Sequence, residues 1–364
     1  MYIHERKNWP DFTWDHAAIT TLLSDARHTQ GRLLGKMEGL GFQLREEATL
    51  ATLTQDVIKT SEIEGQKLDT QQVRSSIARR MGIEIAALPQ VDRNVEGIVE
   101  VMLDATRHYQ MLLDQDRLFG WHAALFPTGR SGMQKITVGG WRTDASGPMQ
   151  VVSGAYGREK VHYEAPRHDR LNAEMTRFLA WLNAGPATDP VLTSALAHFW
   201  FVTIHPFDDG NGRIARAIAD MILARSENSA QRFYSMSAQI QRERNAYYDI
   251  LEASQRSDLN ITAWLEWYLA CLRRAINSSH EILDAVLTKA NFWKRHEGEK
   301  FNDRQRNLIN RHLDGFDGKL TSSKWAKIAK CSPDTALRDI TDLMERNILA
   351  KDDAGGRSTC YRLK

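Results

Sequence analysis

One short segment, His205-Pro206-Phe207-Asp208-Asp209-Gly210-Asn211-Gly212-Arg213-Ile214-Ala215-Arg216, gathers a titratable base, a hard carboxylate, small backbone-exposing residues and two arginines. Gly210, Asn211 and Gly212 tolerate the backbone conformations that aim successive N–H groups at an anion, at the point where a helix begins. Arg213 and Arg216, on neighbouring faces of that helix, can grip separate phosphate oxygens through charge-assisted bonds. Asp209 offers the oxygen ligand that a phosphate-bound Mg2+ takes, with waters and phosphate oxygens completing the octahedron. His205 titrates near neutrality and can accept a hydroxyl proton. Singly these features are commonplace, since His-Pro ends helices and Gly-Asn-Gly makes turns. In this order they describe attack by a hydroxyl on a nucleotide phosphorus.

The surrounding elements explain how the segment is held. Apolar residues recur at helical spacing from Val191 through Thr203, so a helix delivers His205 and Pro206 ends it. Ile214 to Arg225 predicts the next helix, whose free N–H groups coincide with the glycines. Upstream, a strap with Trp9, Pro10, Phe12 and Trp14 precedes a helical pattern from Asp15. Helical spacing covers Leu22 to Gly82 with a break at Gly39-Leu40-Gly41, then Asp92 to Leu118, Trp121 to Pro127 and Arg170 to Leu182. Helices also follow at Tyr247 to Ser257 and Ile261 to Val286. Between Gln134 and Tyr163, short apolar runs alternate with Gly139-Gly140, Ser146-Gly147-Pro148 and Ser153-Gly154, the pattern of a β-hairpin. Near the C-terminus, helices at Thr321 to Lys330 and Asp334 to Arg346 precede a hairpin from Ala350 to Arg362 around Asp353-Ala354-Gly355-Gly356. That is a winged helix-turn-helix outline.

The segment from His205 to Arg216 resembles the signature of the Fic family, and every defining position is filled. The resemblance implies a mainly α fold: a helical Fic core with a β-hairpin flap, an N-terminal helical region over 1–90, a catalytic domain over 91–285 and a winged helix-turn-helix over 286–364. It implies an adenylyltransferase moving AMP from Mg2+-ATP to a Ser, Thr or Tyr hydroxyl of a target protein or of itself. His205 is then the general base and Asp209 the Mg2+ ligand. Gly210, Asn211 and Gly212 form the nest, Arg213 and Arg216 clamp phosphates, and Phe207 anchors the loop. Met149, Gln150, Val151, Val152 and Ser153 are the flap that pairs with the target main chain, and Asn245, Tyr247 and Tyr248 correspond to adenosine-side positions.

Thr60-Ser61-Glu62-Ile63-Glu64-Gly65, within a long helical pattern, resembles the inhibitory signature of the same family, with Glu64 as the brake. A carboxylate paired bidentately with Arg216 would take the donors meant for the γ-phosphate and misalign the α-phosphate. Holding all but about 1% of molecules in check needs a bias of roughly 2.7 kcal/mol. The same glutamate in related enzymes can position water to remove AMP, so de-AMPylation is a further expectation.

Bulk properties narrow the alternatives. With 48 Lys+Arg against 46 Asp+Glu the net charge is +2, so no global field draws the chain to nucleic acid or membrane. Cys271, Cys331 and Cys360 are widely separated, which suggests neither a disulfide framework nor a zinc site. Without an apolar leader or a spanning run, the expectation is a cytoplasmic protein without a membrane partner. Two competing readings are a DNA-binding regulator working through Asp334 to Arg346, and Fic-type transfer of UMP, phosphate or phosphocholine. Acidic residues dilute Arg338 and Arg346 in the first, and the intact Arg216 weighs against phosphate in the second. Helical cores of this type pair, so a homodimer is also expected.

Overall fold

The computed structural model describes all residues except 84–90, 146, 155–157, 159, 186, 315–318 and 353–358. A 3-10 turn at Ile3–Glu5 leads to α1 (His16–Glu38), α2 (Phe42–Ile63), α3 (Thr70–Met81), α4 (Arg93–Arg107) and α5 (Gln115–Leu125). Two antiparallel ladders come next, β1 (Arg130–Ser131) with β2 (Gln134–Lys135), and β3 (Gln150–Ser153) with β4 (Lys160–Glu164). Then come α6 (His168–Asn183), α7 (Pro190–Ile204), α8 (Asn211–Glu227), α9 (Met236–Arg242), α10 (Arg244–Gln255) and α11 (Thr262–Arg295). The chain closes with α12 (Asp303–Leu313), α13 (Ser322–Ala329), α14 (Pro333–Glu345) and the antiparallel pair β5 (Leu349–Lys351) and β6 (Tyr361–Leu363). The fold is mainly helical. Described residues up to 280 form one compact unit and those from 281 onward a second.

Helix starts follow the capping rule: Asp15, Asp69, Asp92, Asp114 and Asp189 each accept a backbone N–H from the first turn of their helix. These caps also account for two departures from the expected boundaries. The pattern read as continuous over Asp92 to Leu118 is broken, because α4 ends at Arg107 and Asp114 caps a new helix that takes in both Leu118 and Trp121. The pattern from Leu22 to Gly82 breaks at Gly39 to Gly41 and again after Ile63. Glu64 is therefore the C-cap of α2 and not a mid-helix residue. Gly65, at φ +79°, supplies the left-handed step that stops the helix there. α9 and α12 were not read from the sequence, and α11 runs beyond Val286. The predicted turn at Asp353 to Gly356, Ser146 and the boundary at residue 90 lie outside the described residues.

In the first unit α7 is buried on every side from Val191 to Ile204, as its unbroken apolar sequence requires. Ser194 Oγ in α7 donates to Ala219 O in α8 (2.9 Å), tying the two helices that flank the motif. The N-terminal strap packs on this body: Trp9 Nε1 donates to Glu174 (2.8 Å) and Phe12 meets Phe199 and Trp200 edge-on. Below α8 lies a buried ionic cluster in which Arg232 pairs with Asp220 (3.2 Å) and Glu227 (2.8 Å). The second unit has its own core, in which Trp325, Ile340, Leu343, Ile348 and Tyr361 pack with Phe292.

Candidate active site

The loop between α7 and α8 is locked from within. His205 is the C-cap of α7 in the left-handed conformation (φ 53°, ψ 58°), its N–H donating to Phe201 O (3.0 Å). Phe207 is fully buried and stacks on His122 with ring centroids 4.2 Å apart. Asn211 closes the loop on itself: Phe207 N–H donates to its Oδ1 (3.0 Å) and its Nδ2 donates to Phe207 O (2.8 Å). The Asn211 side chain is thus spent on the fold, leaving its backbone N–H for a ligand. Gly210 sits at φ +85°, and a Cβ there would lie 2.9 Å from the Phe126 ring. Ile214 N–H makes the first intrahelical bond, to Gly210 O (3.0 Å), so the N–H groups of Asn211, Gly212 and Arg213 precede the ladder.

Arg142, which sequence reasoning missed, braces the turn beneath His205. It is 1% exposed; its N–H donates to Pro206 O (2.9 Å), its Nε to His205 O (2.8 Å) and its Nη2 to Pro166 O. Tyr163 OH donates to Thr203 O (2.7 Å), fastening β4 to the same end of α7. The His205 Nδ1 lies 3.2 Å from Val202 O. A carbonyl can only accept, so the Nδ1 carries the proton and Nε2 keeps its lone pair. Burial, opposed by that carbonyl, pushes the imidazole down to about 4 and keeps it neutral at physiological pH.

Asp209 is partly exposed, accepts Gly210 N–H at Oδ1 (2.5 Å) and the Ser131 hydroxyl at Oδ2, and lies 3.7 Å from Arg213. Its backbone oxygen lies 3.2 Å from His122 Nε2. Among the described residues no cluster of three or more His, Cys, Asp or Glu could hold a metal alone. A Mg2+ at Asp209 would therefore take its remaining ligands from phosphate oxygens and water, which is how this ion binds with nucleotides.

Both arginines are buried, and both are engaged from the N-terminal region. Arg213 Nη1 donates to Gln66 Oε1 (3.1 Å) and its guanidinium lies over the Phe126 ring. Arg216 Nε donates to Thr60 Oγ1 (2.7 Å), while Nη2 donates to Thr60 O (3.0 Å) and to Glu64 Oε1 (2.7 Å). The expected bidentate carboxylate pair is therefore a shared one, because Thr60, one turn before Glu64, occupies the other edge of the guanidinium. Burial presses the Arg216 pKa down, but the Glu64 carboxylate and nearby tyrosines outweigh it and hold it above its ordinary value. Arg213 Nε and Arg216 Nη1 are buried without an acceptor among the described residues, unspent donors of the kind a phosphate would use. A Cβ on Gly212 would lie 2.4 Å from Glu64 Oε1, so only glycine lets the carboxylate reach this position. Arg244 Nε donates to Ile63 O (2.9 Å), holding the end of α2 in place.

Glu64, residues Met149 to Ser153, His205, Asp209 to Gly212, Tyr247 and Tyr248 line one cavity of about 510 Å³. Arg213 and Arg216 are buried outside its lining, and Asn245, exposed on α10, is not part of it either. Tyr247 is buried with its hydroxyl 2.9 Å from His198 Nε2, whereas Tyr248 is partly exposed beneath Arg244. Of the supporting residues, Thr60 was legible, since it falls one helical turn before Glu64. Ser131, His122, Arg142, Gln66 and Arg244 carried no local signal.

Residues 112–223 match the Fic/DOC family, and residues 2–83 match a domain of unknown function, DUF4172. The chain is 31% identical over 132 residues to a protein adenylyltransferase Fic of Culex quinquefasciatus, covering 35% of this chain and 25% of that protein. It is 30% identical over 132 residues to the protein of the same name from Aedes aegypti, again covering 35% and 25%. The chain thus spans about a quarter of the length of the curated relatives it matches. In structure it resembles a Fic family protein from Desulfovibrio desulfuricans, with TM-score 0.55, 23% identity and 98% of each chain covered. A Fic domain containing signaling protein from Bacteroides thetaiotaomicron aligns with TM-score 0.50 and 17% identity, covering 73% of this chain and 98% of that one. Residues 112–223 thus match the Fic/DOC family, and the chain shares its fold with a Fic family protein.

Proposed function

We propose that this chain transfers AMP from Mg2+-ATP to a hydroxyl of a target protein and that Glu64 restrains the reaction. A neutral imidazole, an unspent helix N-terminus and a carboxylate seated on Arg216 meet at one cavity, and this coincidence supports the reading. The His205 Nε2 lone pair accepts the acceptor hydroxyl's proton as its oxygen attacks the α-phosphorus. The N–H groups at the start of α8 and the two guanidinium groups bind the phosphate oxygens. Mg2+ on Asp209, when bound, neutralises charge on the phosphates and favours departure of pyrophosphate. Residues 149–153 offer an edge strand on which the target segment can pair through its main chain.

Glu64 competes for Arg216 and, by keeping the γ-phosphate from its clamp, misaligns the α-phosphate. In purified protein with Mg2+ and labelled ATP, Glu64→Gly raises labelling of protein substrates about tenfold or more, and adding His205→Ala abolishes it. Labelling of a separate target protein that survives loss of His205 would overturn the assignment of the base. A chase with unlabelled UTP, or with other phosphate and phosphocholine donors, leaves AMP labelling in place if ATP is the donor.

Removal of AMP is a second reading, favoured because the Glu64 side chain is 29% exposed and lines the same cavity. There it can orient a water toward a bound AMP-protein. AMP-modified target incubated with wild-type protein loses its label, and Glu64→Gly slows that loss.

A further inference from the structure

The flap carries a second base. In β4, His162 falls at an irregularity in the β3–β4 register, between the pairs Val151 with Tyr163 and Val152 with Val161. Such bulges re-aim a side chain. Here the imidazole lies between a hydroxyl and a carboxylate: Ser153 Oγ is 2.6 Å from Nε2, and Glu252 Oε2 on α10 is 2.5 Å from Nδ1. The hydrogen bond from His162 holds the Glu252 carboxyl below its ordinary range, so it accepts and does not donate. The Glu252 carboxylate thus takes a proton at Nδ1, and in the neutral imidazole Nε2 is the acceptor that faces the Ser153 hydroxyl. Ser153, His162 and Glu252 line the same cavity as His205, Glu64 and Gly212.

We propose that Ser153 is an intramolecular acceptor of AMP, with His162 as its base and Glu252 as the positioning residue. This inference rests on the AMP-transfer reading above. In the step, Ser153 Oγ bonds to the α-phosphorus of ATP, the bond from that phosphorus to the bridging oxygen breaks, and pyrophosphate leaves with the electron pair. The Ser153 proton passes to His162 Nε2, and the product is a phosphodiester between AMP and Ser153. A nucleotide on this residue lies at the end of the flap strand and obstructs the edge on which a target pairs, so self-modification limits transfer to other proteins.

The full-length Glu64→Gly protein, incubated with Mg2+ and ATP in the presence of cell extract, tests this by mapping modified peptides of both. AMP on Ser153, forming at a rate per molecule unchanged by dilution, is expected. His162→Gln in that background lowers Ser153 labelling at least about tenfold. Glu252→Gln lowers the maximal rate while leaving the KM for ATP unchanged, a split that loss of nucleotide binding would not produce. Thermal midpoints matched to the parent exclude misfolding. AMP on extract proteins or other positions of this chain but never on Ser153 overturns the acceptor assignment and leaves the transferase reading standing. Absence of AMP from every protein overturns both. Ser153 labelling that dilutes away, or that is indifferent to His162, overturns the intramolecular relay.

Discussion

At the scale of single residues, the site turns on which nitrogen of His205 is free and on what holds Arg216. Because the Val202 carbonyl claims Nδ1 and burial lowers the pKa to about 4, Nε2 is a competent acceptor through the neutral range. In the Glu64→Gly protein, the acid limb of a pH–rate profile attributable to this group therefore lies near pH 4. Transfer is lost as His205 becomes protonated below that value; a limb near 6.5 would indicate an unburied base. The Glu64–Arg216 pair on which the proposed restraint rests is intermediate in its surroundings, since the two side chains are 29% and 2% exposed. Such a pair exceeds a surface ion pair, worth about 0–1 kcal/mol. Thr60 and the Arg244 anchor on Ile63 can supply the remainder of the roughly 2.7 kcal/mol that tight restraint needs.

At the scale of elements, α8 is the pivot, bearing Arg213 and Arg216 toward one end and Asp220 and Glu227 toward the other. Arg232 pairs with Glu227 and also contacts Asp220, whose carboxyl is pushed well above the usual carboxylate range by burial and the neighbouring Asp56; all three side chains are at most 3% exposed. Replacing it with Met leaves two buried acids without a cation, and Arg232→Met should cost about 3–5 kcal/mol, read as a lower urea midpoint. Asp56 of α2 reaches this neighbourhood, accepting from Ser235 Oγ and Ser237 N–H. α2 is thus tied both to the start of α9, at Asp56, and to α8, at Thr60.

At the scale of the whole molecule, several histidines are buried uncharged. Burial pushes His4, His122 and His205 down to about 4 and His198 to about 3. Each takes up a proton more readily when unfolded, near the ordinary 6.5, so their contribution to stability is full above that pH. It is lost as pH falls from 6.5 toward 4. The thermal midpoint should therefore drop steeply across that window, and His198→Gln should flatten the slope. Among the described residues no helix is long and apolar enough to cross a membrane. On the outer face of α14, Asp334, Asp342 and Glu345 surround Arg338, and Arg346 is tied to Glu299 (2.7 Å). That charge distribution offers little to a phosphate backbone.

The turn at residues 205–216 was legible in the chain because it is local: two helical patterns meet at a Pro and a Gly-Asn-Gly, and the structure sets α7 and α8 on either side of it. Glu64 stood out for the same reason, as part of a short pattern ending in glycine, and the structure ends α2 there. What tertiary structure alone decided is who meets whom. Glu64 reaches Arg216 across 152 residues, Arg142 supports His205 across 63 and Glu252 orients His162 across 90. Spacing along a helix or strand reports only neighbours within a turn or a pleat. Contacts between distant segments are set by which apolar faces pack, and only the fold brings Arg142 beneath His205 and Glu252 to His162.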